Sequence, residues 1–197
     1  MTSGRRLTIE RLAPTGEGVA RDAGKVVFVD GALPGETVVA SVFREKARYA
    51  RAAAREILDP APERRETDAH GAACGGTEWA HVLPDAARRW KRVLFLETME
   101  RIGRVPASHF GELPVSSSPL EYRLRNRFHA SAGAIGFYGR RSHTIVPLDG
   151  CEIVSAETRS EVATLAANRP EGTLETLESV ETGPGHHLAW RAQGKRF

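Results

Sequence analysis

The fold-deciding stretch is Gly16-Glu-Gly-Val-Ala-Arg21 followed by Val27-Phe-Val-Asp-Gly-Ala-Leu-Pro-Gly-Glu36. Its glycines permit a tight turn, and Pro34-Gly35 predicts a chain reversal that leads Glu36 into the next strand. Working outward, short runs of β-forming residues separated by turn signals lie at residues 6–12, 18–21, 26–29, 37–44 and 50–58. These runs predict a five-stranded OB-like barrel over residues 1–58, a fold that binds oligonucleotides across one face.

The last of these runs is ambiguous. Ala50-Arg-Ala-Ala-Ala-Arg55 has strong helical propensity. Ile57 and Leu58 follow it, however, and the barrel needs a closing strand. We therefore predict a strand here.

The same stretch carries a family resemblance. Residues 16–21 and 27–36 together resemble a TRAM domain, an RNA-binding OB-like barrel that is fused to enzymes modifying tRNA and rRNA. The resemblance implies that residues 1–58 form an RNA-binding module.

A second informative stretch is Asp68-Ala-His-Gly-Ala-Ala-Cys74-Gly-Gly-Thr77, hereafter the 68–77 loop. The two glycines after Cys74 let the backbone curl so that its N–H groups can face a buried anionic centre. With Cys151, the stretch resembles the cluster motif of the uracil-C5 RNA methyltransferases that carry an iron–sulfur cluster. The resemblance puts the four ligand positions at Asp68, Cys74, Thr77 and Cys151.

Only Cys74 and Cys151 supply thiolates, whereas a cubane cluster is held by four. We therefore expect the 4Fe-4S cluster to be lost and the two cysteines to be relic metal positions without an occupant. A metal or redox site formed by Cys74, Cys151, Asp68 and His70 is a further possibility, although Thr77 is a poor ligand.

Basic residues are concentrated in two segments. The chain of 197 residues has 28 Lys plus Arg and 25 Asp plus Glu, and its net charge of +3 does not by itself indicate a nucleic-acid partner. Residues 44–55 carry five basic side chains against the single acid Glu45, and residues 121–141 carry five against Glu121. Such patches favour a polyphosphate partner. The alternative is a pair of ordinary solvated strand faces.

Aromatic residues accompany the second patch. Residues 122–128 alternate basic and other side chains with the period of a strand, and Tyr138 follows in a predicted hairpin. Arginines beside aromatic rings suit single-stranded RNA, because they combine phosphate contacts with stacking; the alternative is a plain antiparallel sheet with a polar face. The predicted RNA-binding residues are Arg44, Lys46, Arg48, Arg51, Tyr122, Arg123, Arg125, Arg127, Phe128 and Tyr138.

The segments have a predicted order along the chain. They are the barrel at 1–58, a linker with the 68–77 loop at 59–83, an amphipathic helix at 84–104, a central β-subdomain at 114–152, and at 153–197 a short helix and the start of a methyltransferase domain. The central subdomain and the last segment rest on the family resemblance. The predicted fold class is mainly β with α: a five-stranded OB-like barrel, one linking helix and a small antiparallel subdomain, without the Rossmann-like methyltransferase domain.

The resemblance implies a function in RNA modification. The family methylates uracil with a cysteine nucleophile, a general base and S-adenosylmethionine (SAM), and no such cysteine, base or cofactor crevice is visible in the sequence. We therefore expect no catalytic residue and no cofactor in this chain. We expect the RNA-binding amino-terminal part of such a methyltransferase, as a fragment or a truncated member, inactive on its own.

The alternative is a free-standing RNA-binding adaptor of the TRAM type. Either protein would bind rRNA or tRNA, which the sequence does not separate, and neither DNA nor a membrane is an expected partner. No apolar run is long enough to span a membrane and no secretion signal is present at Met1, so we expect a cytoplasmic protein.

Overall fold

The computed structural model describes residues 4–131, 133–168, 176–182 and 185–191. The chain divides into two compact units. The first combines Met1–Glu66 with His81–Ser117, and the second combines Thr67–Ala80 with Ser118–Phe197. In chain order the elements are β1 Arg5–Thr8, β2 Arg11–Leu12, β3 Gly18–Asp22, β4 Lys25–Asp30, β5 Thr37–Glu45, β6 Tyr49–Asp59, α1 Ala69–Ala73, α2 Pro84–Arg101, a 3-10 turn Ala107–Phe110, β7 Arg125–Ser131, β8 Ala134–Tyr138, β9 Ile145–Pro147, α3 Ala156–Asn168, β10 Thr176–Thr182 and β11 Gly185–Arg191.

The first unit contains a six-stranded sheet in the order β1-β5-β6-β4-β3-β2. Its pairings are antiparallel except for the parallel pair β4–β6. The predicted strand at residues 50–58 is confirmed as β6. It is a strand despite its alanines because it pairs on both sides, with β4 and β5, and buries Ala50 and Ala52 completely in the core. Tertiary pairing here outweighs helical propensity.

The predicted count of five barrel strands is wrong. The first predicted strand, residues 6–12, is two strands because the chain changes its hydrogen-bonding partner within it. Ile9 N–H donates to the carbonyl of Glu36, whereas Glu10 N–H donates to the carbonyl of Val19. β1 therefore pairs with β5, and β2 pairs with β3.

The turn that follows β4 is held by a buried ion pair. Glu36 is 0% exposed, and its carboxylate accepts hydrogen bonds from Arg64 Nε at 2.5 Å and Arg64 Nη2 at 2.7 Å. It also accepts from the backbone N–H groups of Leu33 and Ala61. Burial raises the pKa of Glu36, but these hydrogen bonds and the Arg64 charge outweigh it and hold that pKa below its ordinary value. Glu36 thus stays charged and ties the turn to the segment after β6.

The helix of the first unit begins with a proline, whose missing N–H costs nothing at a helix start. Ala86 and Leu94 are buried, whereas Val93 and Phe95 are exposed. Trp90 Nε1 donates to Glu63 at 2.7 Å. No helix in the described part of the chain is long and apolar enough to cross a membrane.

The second unit contains a five-stranded antiparallel sheet in the order β11-β10-β7-β8-β9. The central β-subdomain was predicted over residues 114–152, but its sheet takes in strands beyond residue 152. β10 pairs with β7 and sets Leu177 opposite Phe128, both fully buried, so β10 and β11 extend the sheet. The core also contains Phe137, Val154, Val162 and both cysteines.

Candidate RNA interface

The tip of the β5–β6 hairpin carries three exposed cations. Arg44, Lys46 and Arg48 lie around a turn that is closed by Lys46 N–H donating to the carbonyl of Tyr49 at 2.8 Å. None of the three side chains has a hydrogen bond or ion pair with any residue that the structure describes. Their charges are therefore available to a phosphate backbone.

Glu45, which lies between Arg44 and Lys46 at the tip of this hairpin, is already ion-paired. Glu45 accepts from Lys25 Nζ at 2.7 Å and from Arg5 Nη2 at 2.9 Å. The hydrogen bond from Lys25 and the charge of Arg5 lower the pKa of Glu45, so it stays ionised. Because its partners come from β1 and β4, Glu45 does not need Arg44 or Lys46 as counter-ions.

The predicted contact Arg51 is engaged within the protein. Its guanidinium donates to Glu17 at 2.7 Å and lies 5.5 Å above the centre of the Phe28 ring. Phe28 in turn meets Tyr49 edge to face at 6.1 Å. Arg51 thus packs on an aromatic pair that joins β4 to the hairpin strand β6.

Two of the three predicted RNA-binding arginines in the second unit already contact other protein groups. Arg127 forms a 2.7 Å ion pair with Glu178 of the neighbouring strand β10. Arg123 lies 5.1 Å above the Phe137 ring. Arg125 is exposed, and its side chain has no recorded partner among the described residues.

Of the three predicted aromatic residues, only two are accessible. Phe128 is 0% exposed and packs against Phe137 in the core, so its predicted place in RNA stacking is wrong. It alternates with arginines because β7 has one buried face and one exposed face. Tyr122 is 47% exposed and Tyr138 is 38% exposed.

Two histidines that the sequence analysis missed lie beside Tyr138. The His129 ring stacks on the Tyr138 ring at 3.8 Å with 10° between planes, and the His143 ring lies 4.9 Å from Tyr138 at 54°. Burial lowers the pKa of His129, and the charges of Arg127 and His143 lower it further, so the ring is neutral near pH 7. His129 follows Arg125 and Arg127 at every second position, which was the available signal.

The 68–77 loop uses its polar groups for its own structure. Asp68 caps α1 by accepting from Gly71 N–H at 2.7 Å, and Thr77 Oγ1 donates to the carbonyl of Gly71 at 3.3 Å. Cys74 and Cys151 are buried free thiols among apolar side chains. Within the described ranges, no three His, Cys, Asp or Glu side chains are grouped to hold a metal ion. These residues do not fit an iron–sulfur cluster, which needs four thiolate ligands.

Comparison with known protein families identifies the domain at the start of the chain. Residues 3–54 match the model of the TRAM domain. The chain contains a TRAM domain. The predicted TRAM domain is thereby confirmed over residues 3–54, and the exposed cations at 44, 46 and 48 lie on the β5–β6 hairpin of this domain.

Similar proteins extend the resemblance beyond the TRAM domain. An uncharacterised RNA methyltransferase of Bdellovibrio bacteriovorus is 36% identical over 89% of this chain and 45% of its own length. The 23S rRNA (uracil(1939)-C(5))-methyltransferase RlmD of Halomonas elongata is 37% identical over 89% of this chain and 39% of its own length. The chain thus spans less than half of these relatives. Over that part, the chain is similar to proteins named as RNA methyltransferases.

A solved structure shows the same fold. The tRNA (uracil-54, C5)-methyltransferase of Pyrococcus abyssi, in complex with S-adenosyl-L-homocysteine, aligns with 97% of this chain and 46% of its own, at a TM-score of 0.71 and 21% identity. The predicted fold class was a barrel, a linking helix and a small subdomain without the methyltransferase domain. This alignment, which covers nearly the whole chain, overturns that prediction. The TRAM domain and the second sheet both belong to the shared fold.

Proposed function

We propose that this chain is the RNA-binding region of an RNA (uracil-C5) methyltransferase that acts on rRNA or tRNA. One observation carries the proposal: the tip of the β5–β6 hairpin presents three exposed cations without a protein partner among the described residues, and the acid between two of them, Glu45, is ion-paired with residues of other strands. The Halomonas elongata and Pyrococcus abyssi proteins, which are named as an rRNA and a tRNA methyltransferase, support this choice of substrate class.

We further propose that the described residues bind and orient RNA and that they do not transfer the methyl group by themselves. A SAM site of the doubly wound type lies at the carboxyl ends of parallel strands. The parallel pair among the described strands, β4–β6, is joined through β5 rather than through a crossover helix. The described residues therefore do not fit a SAM crevice, and we assign none of them to the methyl donor.

The alternative function, a free-standing TRAM adaptor, has less support because the proteins similar to this chain are named as methyltransferases. A role in rRNA or tRNA modification also favours the cytoplasm as its location, and RNA rather than DNA or a membrane as its partner.

A salt titration tests the RNA-binding proposal. Filter binding of single-stranded RNA to the wild-type chain should weaken steeply with salt, and the Arg44→Gln/Arg48→Gln variant should bind with a slope shallower by about 1.4, since each phosphate contact contributes about 0.7. The matched control is Arg101→Gln/Arg104→Gln, which removes the same charge from two exposed arginines elsewhere in the first unit.

Two results would overturn the proposal. One is a wild-type chain that does not bind RNA at low salt or binds it without salt dependence. The other is an equal change of slope in the hairpin variant and in the control, because net charge alone would then account for binding.

A further inference from the structure

The turn between β8 and β9 is a compact hydrogen-bonded structure. Gly139 N–H donates to the carbonyl of Thr144 at 2.8 Å, and Ser142 N–H donates to the carbonyl of Gly139 at 3.2 Å. Arg141 has a positive φ of 51°, which allows the chain to reverse within so few residues. His143 is exposed on this turn, next to Tyr138.

The 68–77 loop holds this turn through backbone contacts. Gly75 N–H donates to the carbonyl of Tyr138 at 3.1 Å, and Arg140 N–H donates to the carbonyl of Ala73 at 3.0 Å. A Cβ at position 75 would lie 3.0 Å from the Tyr138 carbonyl oxygen, a tight contact that glycine avoids. The glycine after Cys74 therefore serves a contact between loop and turn.

The Arg140 side chain adds a second connection. Its Nε donates to the carbonyl of Cys74 at 3.2 Å and its Nη2 donates to the carbonyl of Thr77 at 2.8 Å. A guanidinium can bridge two carbonyls in this way because its donors have a fixed planar arrangement. The Arg140 guanidinium is thus engaged by carbonyls within the second unit. These hydrogen bonds fix the turn that carries His143.

The rings of His129, Tyr138 and His143 form a continuous aromatic surface. His129 is flat against Tyr138, whereas His143 is tilted by 54° and belongs to the exposed turn. Arg125 lies on the same strand as His129, four residues earlier, and its exposed side chain has no recorded partner among the described residues. Exposed rings with an unpaired cation further along the same strand suit a single-stranded RNA, in which one nucleotide stacks its base and a neighbouring phosphate meets the cation.

We propose that the 68–77 loop, through Gly75 and Arg140, positions the turn so that Tyr138 and His143, backed by His129, stack with an unpaired base of the RNA. This inference rests on the proposed RNA-binding function and assigns a part of it to the second sheet. Single-stranded RNA is the favoured ligand over duplex, because a base within a helix has no free ring face to offer.

The test uses a single-stranded RNA that contains 2-aminopurine, whose fluorescence is quenched on stacking. Binding of the wild-type chain should quench it, and His143→Ala and Tyr138→Ala should each remove quenching and weaken binding by about tenfold, the usual size for one stacked base. Tyr138→Phe should retain both, because the ring and not the hydroxyl makes the contact. His143 is exposed, so its variant remains informative if Tyr138→Ala does not fold.

The positioning role of Arg140 has its own measurement. Arg140→Ala should reduce the quenching at saturating RNA and shift the NMR signals of His143, which sense the Tyr138 ring, while Arg101→Ala should change neither.

The outcomes separate the two proposals. Suppose that the wild type binds RNA with salt dependence but does not quench the probe, or that Tyr138→Ala and His143→Ala have no effect. Either result overturns the stacking inference and leaves the proposed function standing. Equal quenching with duplex RNA also overturns it. A wild-type chain that binds no RNA overturns both. Unchanged His143 signals in Arg140→Ala overturn the role of the loop.

Discussion

The TRAM domain and the second sheet contain similar runs of basic residues, yet they differ in what those residues do. In the TRAM hairpin, Arg44, Lys46 and Arg48 are free among the described residues, because the local acid Glu45 is bound by Arg5 and Lys25. In the second sheet, ion pairing, ring contacts and carbonyl contacts engage Arg127, Arg123 and Arg140.

This difference shows that the number of basic residues in a segment does not measure the charge that the segment offers to RNA. What matters is whether a counter-ion from a distant strand reaches each of them. The comparison predicts two kinds of RNA contact. The TRAM hairpin should bind mainly by electrostatics and depend on salt, and the second sheet should bind mainly by stacking and depend on it less.

The largest expected effect concerns the buried ion pair between Glu36 and Arg64 in the first unit. We expect Arg64→Met to lower the free energy of unfolding by about 3–5 kcal/mol, because it leaves the Glu36 carboxylate buried without its counter-ion. Urea denaturation measures this loss, and Arg6→Met, at an exposed position of β1, is the control.

The same pair has a predicted pH dependence. The folded-state pKa of Glu36 lies below its ordinary 4.5, so its contribution to stability is complete above that value and is lost as the pH falls through the folded-state pKa. In Glu36→Gln this part of the acid loss should disappear. Equal stability of Arg64→Met and wild type would contradict the assigned role of the pair.

The second prediction separates packing from RNA contact in the second sheet. Phe128→Leu should lower the free energy of unfolding by about 1–2 kcal/mol, because it opens space in a core where Phe128 is fully buried. RNA affinity of the folded variant should not change. Filter binding below the unfolding transition checks this point, and a loss of affinity without a loss of stability would return Phe128 to the interface.

The third prediction compares a free arginine with a paired one. Arg125→Gln should reduce the salt slope of RNA binding by about 0.7, the value for one phosphate on a single strand. Arg127→Gln should reduce it less, because Glu178 already neutralises Arg127. Glu178→Gln, which frees Arg127, should make the slope steeper. Identical slopes for the two arginine variants would show that the ion pair does not persist in solution.

The smallest expected effect concerns His129. Its folded-state pKa lies below the ordinary 6.5, so the unfolded chain binds a proton more readily and stability should decrease as the pH falls below 6.5. His129→Gln should remove that part of the pH dependence, as measured by urea denaturation between neutral and mildly acidic pH. A His129 pKa at or above 6.5 by NMR titration would contradict the prediction.

Much of the TRAM domain was predictable because its signals are local. The turn at Pro34-Gly35 is visible in the sequence, and Gly35 adopts the positive φ of 85° that such a turn needs. The division of residues 6–12 into β1 and β2 was not predictable, since it depends on Ile9 meeting the distant Glu36. The extension of the second sheet likewise depends on the pairing of β10 with β7, across about 50 residues of chain.

The candidate interface was predictable to a similar degree. The basic hairpin could be identified from composition, whereas the surface of His129, Tyr138 and His143 could not. Those three rings come from two strands and a turn, and only the strand register brings them together. The sequence also suggested that the 68–77 loop is a former cluster site, but not that its carbonyls bind Arg140.

The sequence by itself thus determined where this chain turns, which runs form the TRAM strands and where basic residues accumulate, because each depends on the conformational preferences of a few neighbouring residues. Only the tertiary structure decided which cations are free, which aromatic rings are exposed and what the two buried cysteines pack against. These properties depend on strand register and on ion pairs between distant segments, and such contacts exist only when the whole sheet has formed.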